Sequence, residues 1–238
     1  YYTAADVGTT AEDLDVIAES ASYVVGTNVR GSGDSGGSTA EGVFHAMRAA
    51  AEHAFGTSGL AGHTVGIEGV GKVGSRLADL LAQAGVDGIV VSDPDPVAVE
   101  RVTSRYPSVR QASSVLDADV DIYAPCALGG TLTHESVARL RAGVVCGGAN
   151  NQLSVSAVAA DLLSRGITWV PDYIANAGGV IQVGSELVSA TPELVRAKVA
   201  GISGTVTEVL TRAKETGVTT SAAADAMVLD RLRRAAIR

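Results

Sequence analysis

Short apolar runs alternate with amphipathic stretches through the middle of the chain. The runs at 65–67, 89–92, 122–124, 144–146 and 168–170 are mostly Val and Ile without polar alternation. That pattern suits strands buried on both faces of a parallel sheet. Between the first two runs, Val73, Leu77, Leu80, Leu81 and Ala84 fall on one face of a helix that Gly85 stops. Upstream, Thr10 followed by Glu12 and Asp13 reads as a helix start, with Leu14, Ile17 and Ala18 on its apolar side. Ser38-Thr-Ala-Glu41 reads as a capping box. The helix it opens carries Val43, Phe44, Met47, Ala50, Ala51 and Ala54 at helical spacing and ends at Gly56 and Gly59. Residues 26–37 are rich in Gly, Ser, Asn and Asp, so they read as a loop, either a floppy linker or a substrate or cofactor loop. Near the end, Thr191, Pro192 and Glu193 start a helix whose stripe is Leu194, Val195, Val199, Ile202, Val206, Val209 and Leu210, up to Gly217. Gly201 and Gly204 interrupt it at about 1 kcal/mol each. Close packing against another element would account for that cost. A last helix is expected over 221–234.

Strand–helix alternation with right-handed crossovers gives an α/β fold: a doubly wound, Rossmann-like parallel sheet with flanking hinge and C-terminal helices. Ligands in such sheets bind beyond the C-terminal strand ends. One of those ends carries Gly69-Val-Gly71-Lys-Val-Gly74. A strand precedes it, a helix follows it, and Asp93 closes the next strand. Together these form the dinucleotide-binding fingerprint. In that reading Gly69 makes the sharp turn, Gly71 lets the backbone approach a pyrophosphate, and Gly74 lets helix and strand pack. Lys72 and Val73 open the helix whose N-terminus faces the phosphates. A carboxylate at Asp93 accepts from the adenosine ribose hydroxyls and repels a 2′-phosphate, and no Lys or Arg adjoins it, so NAD is favoured over NADP. The bland alternatives are a structural glycine turn and an Asp93 that only caps a turn before Pro94.

The chain has 238 residues, 46% hydrophobic and 18% charged, with 4% aromatics and a formal net charge of −8. It is long enough to bury a large core of Val, Leu, Ile and Ala. Its acidity argues against nucleic acid and anionic membrane as partners. Arg233 and Arg234 read as helix C-terminal charges. Two cysteines, Cys126 and Cys146, with no CxxC, argue against a disulfide framework or a metal site. Both read as buried thiols in a reducing compartment, so a cytoplasmic location is expected. Cys126 has no evident base nearby and is not expected to be a nucleophile. His45 and His53 read as solvated or packed residues of the capped helix.

Six blocks in order resemble the leucine/valine/phenylalanine branch of the glutamate dehydrogenase superfamily. They are Tyr2-Thr-Ala-Ala-Asp-Val-Gly-Thr-Thr10, Asp34-Ser-Gly-Gly-Ser-Thr-Ala40, Gly69-Val-Gly-Lys-Val-Gly74, Ala124-Pro-Cys-Ala-Leu-Gly-Gly130, Gly147-Gly-Ala-Asn-Asn-Gln152 and Pro171-Asp-Tyr-Ile-Ala-Asn-Ala-Gly-Gly-Val180. The resemblance implies oxidative deamination of an L-amino acid to the 2-oxo acid and ammonia, with NAD accepting the hydride. It implies a catalytic acid/base role for Asp6, whose bland alternative is capping near the helix. Thr39 matches the threonine that meets the nicotinamide carboxamide, or is the second residue of a capping box. Asn150 matches the asparagine beside the nicotinamide ribose, and Asn176 the one that reaches substrate or nicotinamide. Either could instead be a left-handed turn residue. Cys126 and Ala127 belong to a block that contacts the cofactor. Val180 and Val183 match positions lining the side-chain pocket and favour an aliphatic substrate, valine or leucine, over phenylalanine.

The resemblance also implies two lysines in an N-terminal substrate domain. The only lysines here are Lys72, Lys198 and Lys214, and none fits either role. The expectation is therefore a piece of a longer, homo-oligomeric enzyme. Residues 1–20 are a remnant of the substrate and catalytic domain, 21–59 a hinge loop and helix, 60–190 the NAD-binding domain and 191–238 a helical segment. On its own the chain is expected to bind NADH without oxidising amino acids. The alternative is an inactive NAD-binding or regulatory module; an NAD-dependent reductase of another substrate class ranks below both.

Overall fold

The computed structural model describes residues 1–6 and 8–236; Val7 of the N-terminal block and Ile237 and Arg238 of the C-terminal segment lie outside the described residues. Among the described residues, six parallel strands form one sheet. They are β1 (Thr64–Glu68), β2 (Gly88–Ser92), β3 (Val109–Gln111), β4 (Ile122–Pro125), β5 (Val144–Val145) and β6 (Thr168–Trp169), in the order β3-β2-β1-β4-β5-β6. The helices are α1 (Ala11–Ala18), α2 (Gly36–Phe55), α3 (Lys72–Gln83), α4 (Pro96–Thr103), α5 (His134–Arg139), α6 (Val158–Ser164), α7 (Asp172–Ala175), α8 (Gly178–Glu186), α9 (Pro192–Ala200), α10 (Ile202–Thr216) and α11 (Thr220–Ala236).

Register decides what meets at the top of the sheet. Glu68 is level with Ser92 on one side and with Pro125 on the other. The next residues, Gly69, Asp93 and Cys126, therefore leave the sheet side by side. The Gly69 N–H donates to the Ser92 carbonyl at 2.7 Å, and the Cys126 N–H donates to the Glu68 carbonyl at 2.7 Å. The strand order reverses between β1 and β4, which opens a crevice at this end.

Side chains alternate across the sheet. Val65, Ile67, Ile89, Val91, Ile122, Ala124 and Val144 join the layer of α2, α3, α4 and α10. Val90, Tyr123, Val145 and Trp169 join the layer of α5 and α6. Each fully buried aliphatic side chain stabilises the fold by about 1.5–3 kcal/mol. Helix α2 is the axis of the first layer: Ala40, Val43, Ala46, Met47, Ala50 and Ala51 are all closed to solvent. Its small residues let other helices approach. A Cβ at Gly42 would lie 2.9 Å from Ile202 Cδ1 and 3.1 Å from the Ala175 carbonyl.

Helix α1 starts as expected, with a reciprocal Thr10–Asp13 capping box. Three expectations are corrected. First, Ser38 opens no capping box, because α2 begins at Gly36. The Asp34 carboxylate accepts the Gly36 N–H at 3.1 Å and so caps the first turn, while the Ser38 hydroxyl donates to Gln182 Oε1 at 2.6 Å. Second, the C-terminal stripe is two helices broken at Gly201, and Leu194 is 47% exposed. A Cβ at Gly204 would meet nothing within 4 Å, so close packing does not explain that glycine; the tight contact is made by Gly42. Third, β3 was not foreseen, because only Val109 of its three residues is buried. No helix among the described residues is long and apolar enough to cross a membrane.

Candidate functional site

The glycine turn sits at the crevice. Gly69 has φ +92°, which favours glycine, and a Cβ there would lie 2.7 Å from the Ala127 backbone nitrogen. A Cβ at Gly74 would lie 1.9 Å from the Gly69 carbonyl, so helix and turn touch there. Gly71 differs: a Cβ there would meet nothing within 4 Å. It is the N-cap of α3 and offers no side chain to the first-turn N–H groups. Small residues here leave room for a ligand rather than for protein, in front of a positive helix end.

Asp93 faces this turn. Its Oδ2 accepts the Val70 N–H at 2.8 Å, and its Oδ1 accepts the Asp95 N–H at 2.9 Å. The carboxylate therefore caps a turn and buttresses the glycine loop at once. Lys72 is exposed, and its ammonium donates to the Thr9 carbonyl at 2.9 Å, tying α3 to the segment that carries Asp6. Arg76 pairs with Asp34 at 2.6 Å, tying α3 to the start of α2. Burial alone would raise the pKa of Asp34, but the Gly36 N–H and the Arg76 guanidinium outweigh it and hold the carboxyl below its usual value. A groove of about 550 Å³ runs along this side, lined by Gly71, Lys72, Arg76, Asp95 and Arg101 among others.

The loops after β4 and β5 close the other side. Ala127 packs on Gly69, and the Ala149 N–H donates to the Pro125 carbonyl at 2.9 Å. Val73 lies against Gly148, where a Cβ would come within 2.7 Å of its Cγ1. Cys126 is half-buried at the end of β4, and the Gly148 N–H points at its sulfur at 3.5 Å. Burial pushes the Cys126 thiol up to about 11. It is protonated at neutral pH and unsuited to nucleophilic attack. Cys146 is fully buried, and burial raises its thiol as well.

Asn176 donates to Asn150 Oδ1 at 2.6 Å and to the Gly148 carbonyl at 3.4 Å, so these two amides meet at the mouth of the crevice. Neither adopts the left-handed conformation; Asn151 does, at φ 51°. Thr39 lies inside the first turns of α2 and donates to the Ser35 carbonyl at 3.0 Å. It lies beside Gly179, because the N-terminus of α8 crosses α2 with no room for a Cβ at Gly178, 1.8 Å from the Ser38 carbonyl. Val180 is 67% exposed at that helix start, and Val183 lies near Gly26. Asp6 is exposed on the N-terminal segment, which bridges to Val24 through Thr3. Its carbonyl accepts the Thr9 N–H at 3.0 Å, while the cap of α1 is Thr10.

Residues 26–33 are tied to α8 by hydrogen bonds. Glu186 accepts the N–H groups of Gly26 at 3.1 Å and Ser32 at 2.7 Å, together with the Ser32 hydroxyl. Gln182 donates to the Ser32 carbonyl at 3.0 Å. Sequence reasoning missed Glu186 and Gln182, and also Gln152, Trp169 and Asp172, which are buried behind the asparagines. A polar residue in an apolar setting was the one available signal, and it does not say which distant group it meets.

The sequence pattern of the Glutamate/Leucine/Phenylalanine/Valine dehydrogenase family matches residues 97–238. Valine dehydrogenase of Streptomyces virginiae is 44% identical over 98% of this chain and 66% of its own length. Leucine dehydrogenase of Bacillus subtilis is 38% identical over 98% of this chain and 65% of its own length. The crystal structure of L-tryptophan dehydrogenase from Nostoc punctiforme aligns with a TM-score of 0.86 at 35% identity, over 100% of this chain and 68% of that one. The chain thus spans about two thirds of the length of these relatives.

Proposed function

The chain belongs to the Glutamate/Leucine/Phenylalanine/Valine dehydrogenase family, and on that premise we propose that it is the cofactor-binding part of an NAD-dependent dehydrogenase of branched-chain L-amino acids. The parent enzyme converts valine or leucine to the 2-oxo acid and ammonia. The observation that carries this reading is the open space in front of Gly71, at the bare N-terminus of α3, with Asp93 fixed beside it.

The residues divide the work as follows. Gly69, Gly71, Val73 and Gly74 form the turn that brings the first N–H groups of α3 to the pyrophosphate. Lys72 exchanges the Thr9 carbonyl for a phosphate oxygen. Asp93 uses its remaining lone pairs on the adenosine ribose, and its carboxylate, with no Lys or Arg next to it in the sequence, favours NAD. Cys126 and Ala127 line the crevice, chiefly through backbone. Thr39, Asn150 and Asn176 hold the nicotinamide end. Val180 and Val183 offer an aliphatic surface to the substrate side chain. NAD, when bound, accepts the hydride that leaves the substrate carbon. Asp6 moves protons between water, the carbinolamine and the departing ammonia.

In this reading residues 1–20 belong to the substrate side, 21–59 to the hinge, 60–190 to the NAD-binding unit and 191–238 to supporting helices. The lysines of the substrate domain are not among these residues, so turnover is assigned to the parent, a homo-oligomer. The two thiols fit a reducing, cytoplasmic setting.

Calorimetric titration of the 238-residue chain is expected to give saturable NADH binding, with NADPH weaker. The parent is expected to reduce NAD⁺ with L-valine or L-leucine faster than with L-phenylalanine. A chain that takes up no NADH, or a parent inert toward both aliphatic substrates, would sink the proposal.

A further inference from the structure

Behind the two asparagines lies a buried polar network. Gln152 is closed to solvent, Trp169 is 4% exposed and Asp172 is 8% exposed. The Gln152 side-chain amide donates to the carbonyls of Gly147 at 3.0 Å and Ala149 at 3.2 Å. Its Oε1 accepts the Trp169 indole N–H at 3.0 Å. Its backbone N–H donates to Asp172 Oδ2 at 3.0 Å. Asp172 Oδ1 accepts the Tyr173 N–H at 2.9 Å, and the Asp172 carbonyl accepts the Asn176 N–H at 2.9 Å. The Gln152 amide has both hydrogens and its oxygen in use. A buried amide of this kind is tolerated only when so satisfied, and it then fixes one geometry.

The consequence is directional. With the Gly147 and Ala149 carbonyls turned inward onto Gln152, the Gly148 carbonyl is left to accept from Asn176. Asp172 starts the short helix α7, and Asn176 ends it. One amide therefore sets both partners of the Asn150–Asn176 contact, through the loop after β5 and through α7.

We propose that Gln152, held by Trp169 and Asp172, is a positioning residue that sets Asn150 and Asn176 for the nicotinamide half of the dinucleotide. This rests on the dinucleotide reading above. It touches neither cofactor nor substrate and acts only through the two asparagines.

The test compares NADH with ADP-ribose, which has the adenosine and pyrophosphate but no nicotinamide. Both are titrated calorimetrically into the wild-type chain, Trp169→Phe, Gln152→Glu and Asp93→Asn. Trp169→Phe keeps an aromatic side chain, though a smaller one, and removes the N–H, so it serves where Gln152→Glu fails to fold. The expected result is NADH affinity lowered roughly tenfold in both network variants, the order of one lost hydrogen bond, with ADP-ribose unchanged. Asp93→Asn should weaken both ligands together. The proposal is overturned if the network variants bind NADH like wild type, or if they lose ADP-ribose in equal measure. It is also overturned if wild type binds the two ligands equally well. A wild type that binds neither ligand removes the dinucleotide reading itself, and this inference with it.

Discussion

Two glycines three positions apart have opposite reasons for being there. Gly74 is demanded by the protein, since a Cβ would lie 1.9 Å from the Gly69 carbonyl. No neighbouring atom demands Gly71, because its Cβ direction is open. Gly74→Ala should therefore destabilise the fold by about 1–3 kcal/mol through overpacking. Gly71→Ala should leave stability within about 1 kcal/mol of wild type and abolish measurable NADH binding. Thermal melting and calorimetry on the two variants separate these effects. Undiminished NADH affinity in Gly71→Ala would mean that the open space is not the phosphate site.

At the scale of elements, α2 runs through the core of the first layer, and it carries two half-buried histidines. Burial, followed by the nearby Arg48, lowers the pKa of His45 below its usual value. Burial, followed by Lys214, does the same for His53. A histidine with a lowered folded pKa binds its proton more readily when unfolded. Its contribution to stability is present above the unfolded pKa of about 6.5 and is lost as pH falls through that value toward the folded one. The urea midpoint is expected to drop between pH 7.5 and 5.5, and less steeply in a His45→Gln, His53→Gln double variant. Asp34, whose folded pKa is lowered, acts in the carboxylate range below this window. Parallel pH slopes for wild type and the double variant would rule out the α2 histidines as the cause.

For the whole molecule, the crevice between β1 and β4 is assembled from segments far apart in the chain. Ligand there should bridge the glycine turn, the loops after β4 and β5, and the start of α8. Binding to the folded state alone should add about 2.7 kcal/mol at a hundredfold excess of NADH over its dissociation constant. For a domain of this size that is a rise of about 5–10 °C in melting temperature. A differential scanning experiment with no shift at saturating NADH would contradict a single cooperative unit built around the site.

The alternation of Val/Ile runs with amphipathic stretches determined five of the six strands, their parallel sense and the helices α1, α2, α3 and α11, because burial on both faces leaves an unbroken apolar run and burial on one face leaves a helical period. The glycine turn and Asp93 were legible for the same reason: their constraints act over a few adjacent residues. What lay beyond local pattern needed the tertiary structure. The start of α2 was set by Asp34 and by a Gln182 that draws off the Ser38 hydroxyl across 144 positions. The glycine that makes close helix packing possible was Gly42, not those in the C-terminal stripe. The Gln152–Trp169–Asp172 network and the Glu186 clamp on residues 26–33 were likewise invisible, because a hydrogen bond depends on where two distant groups come to lie, and sequence spacing does not carry that information.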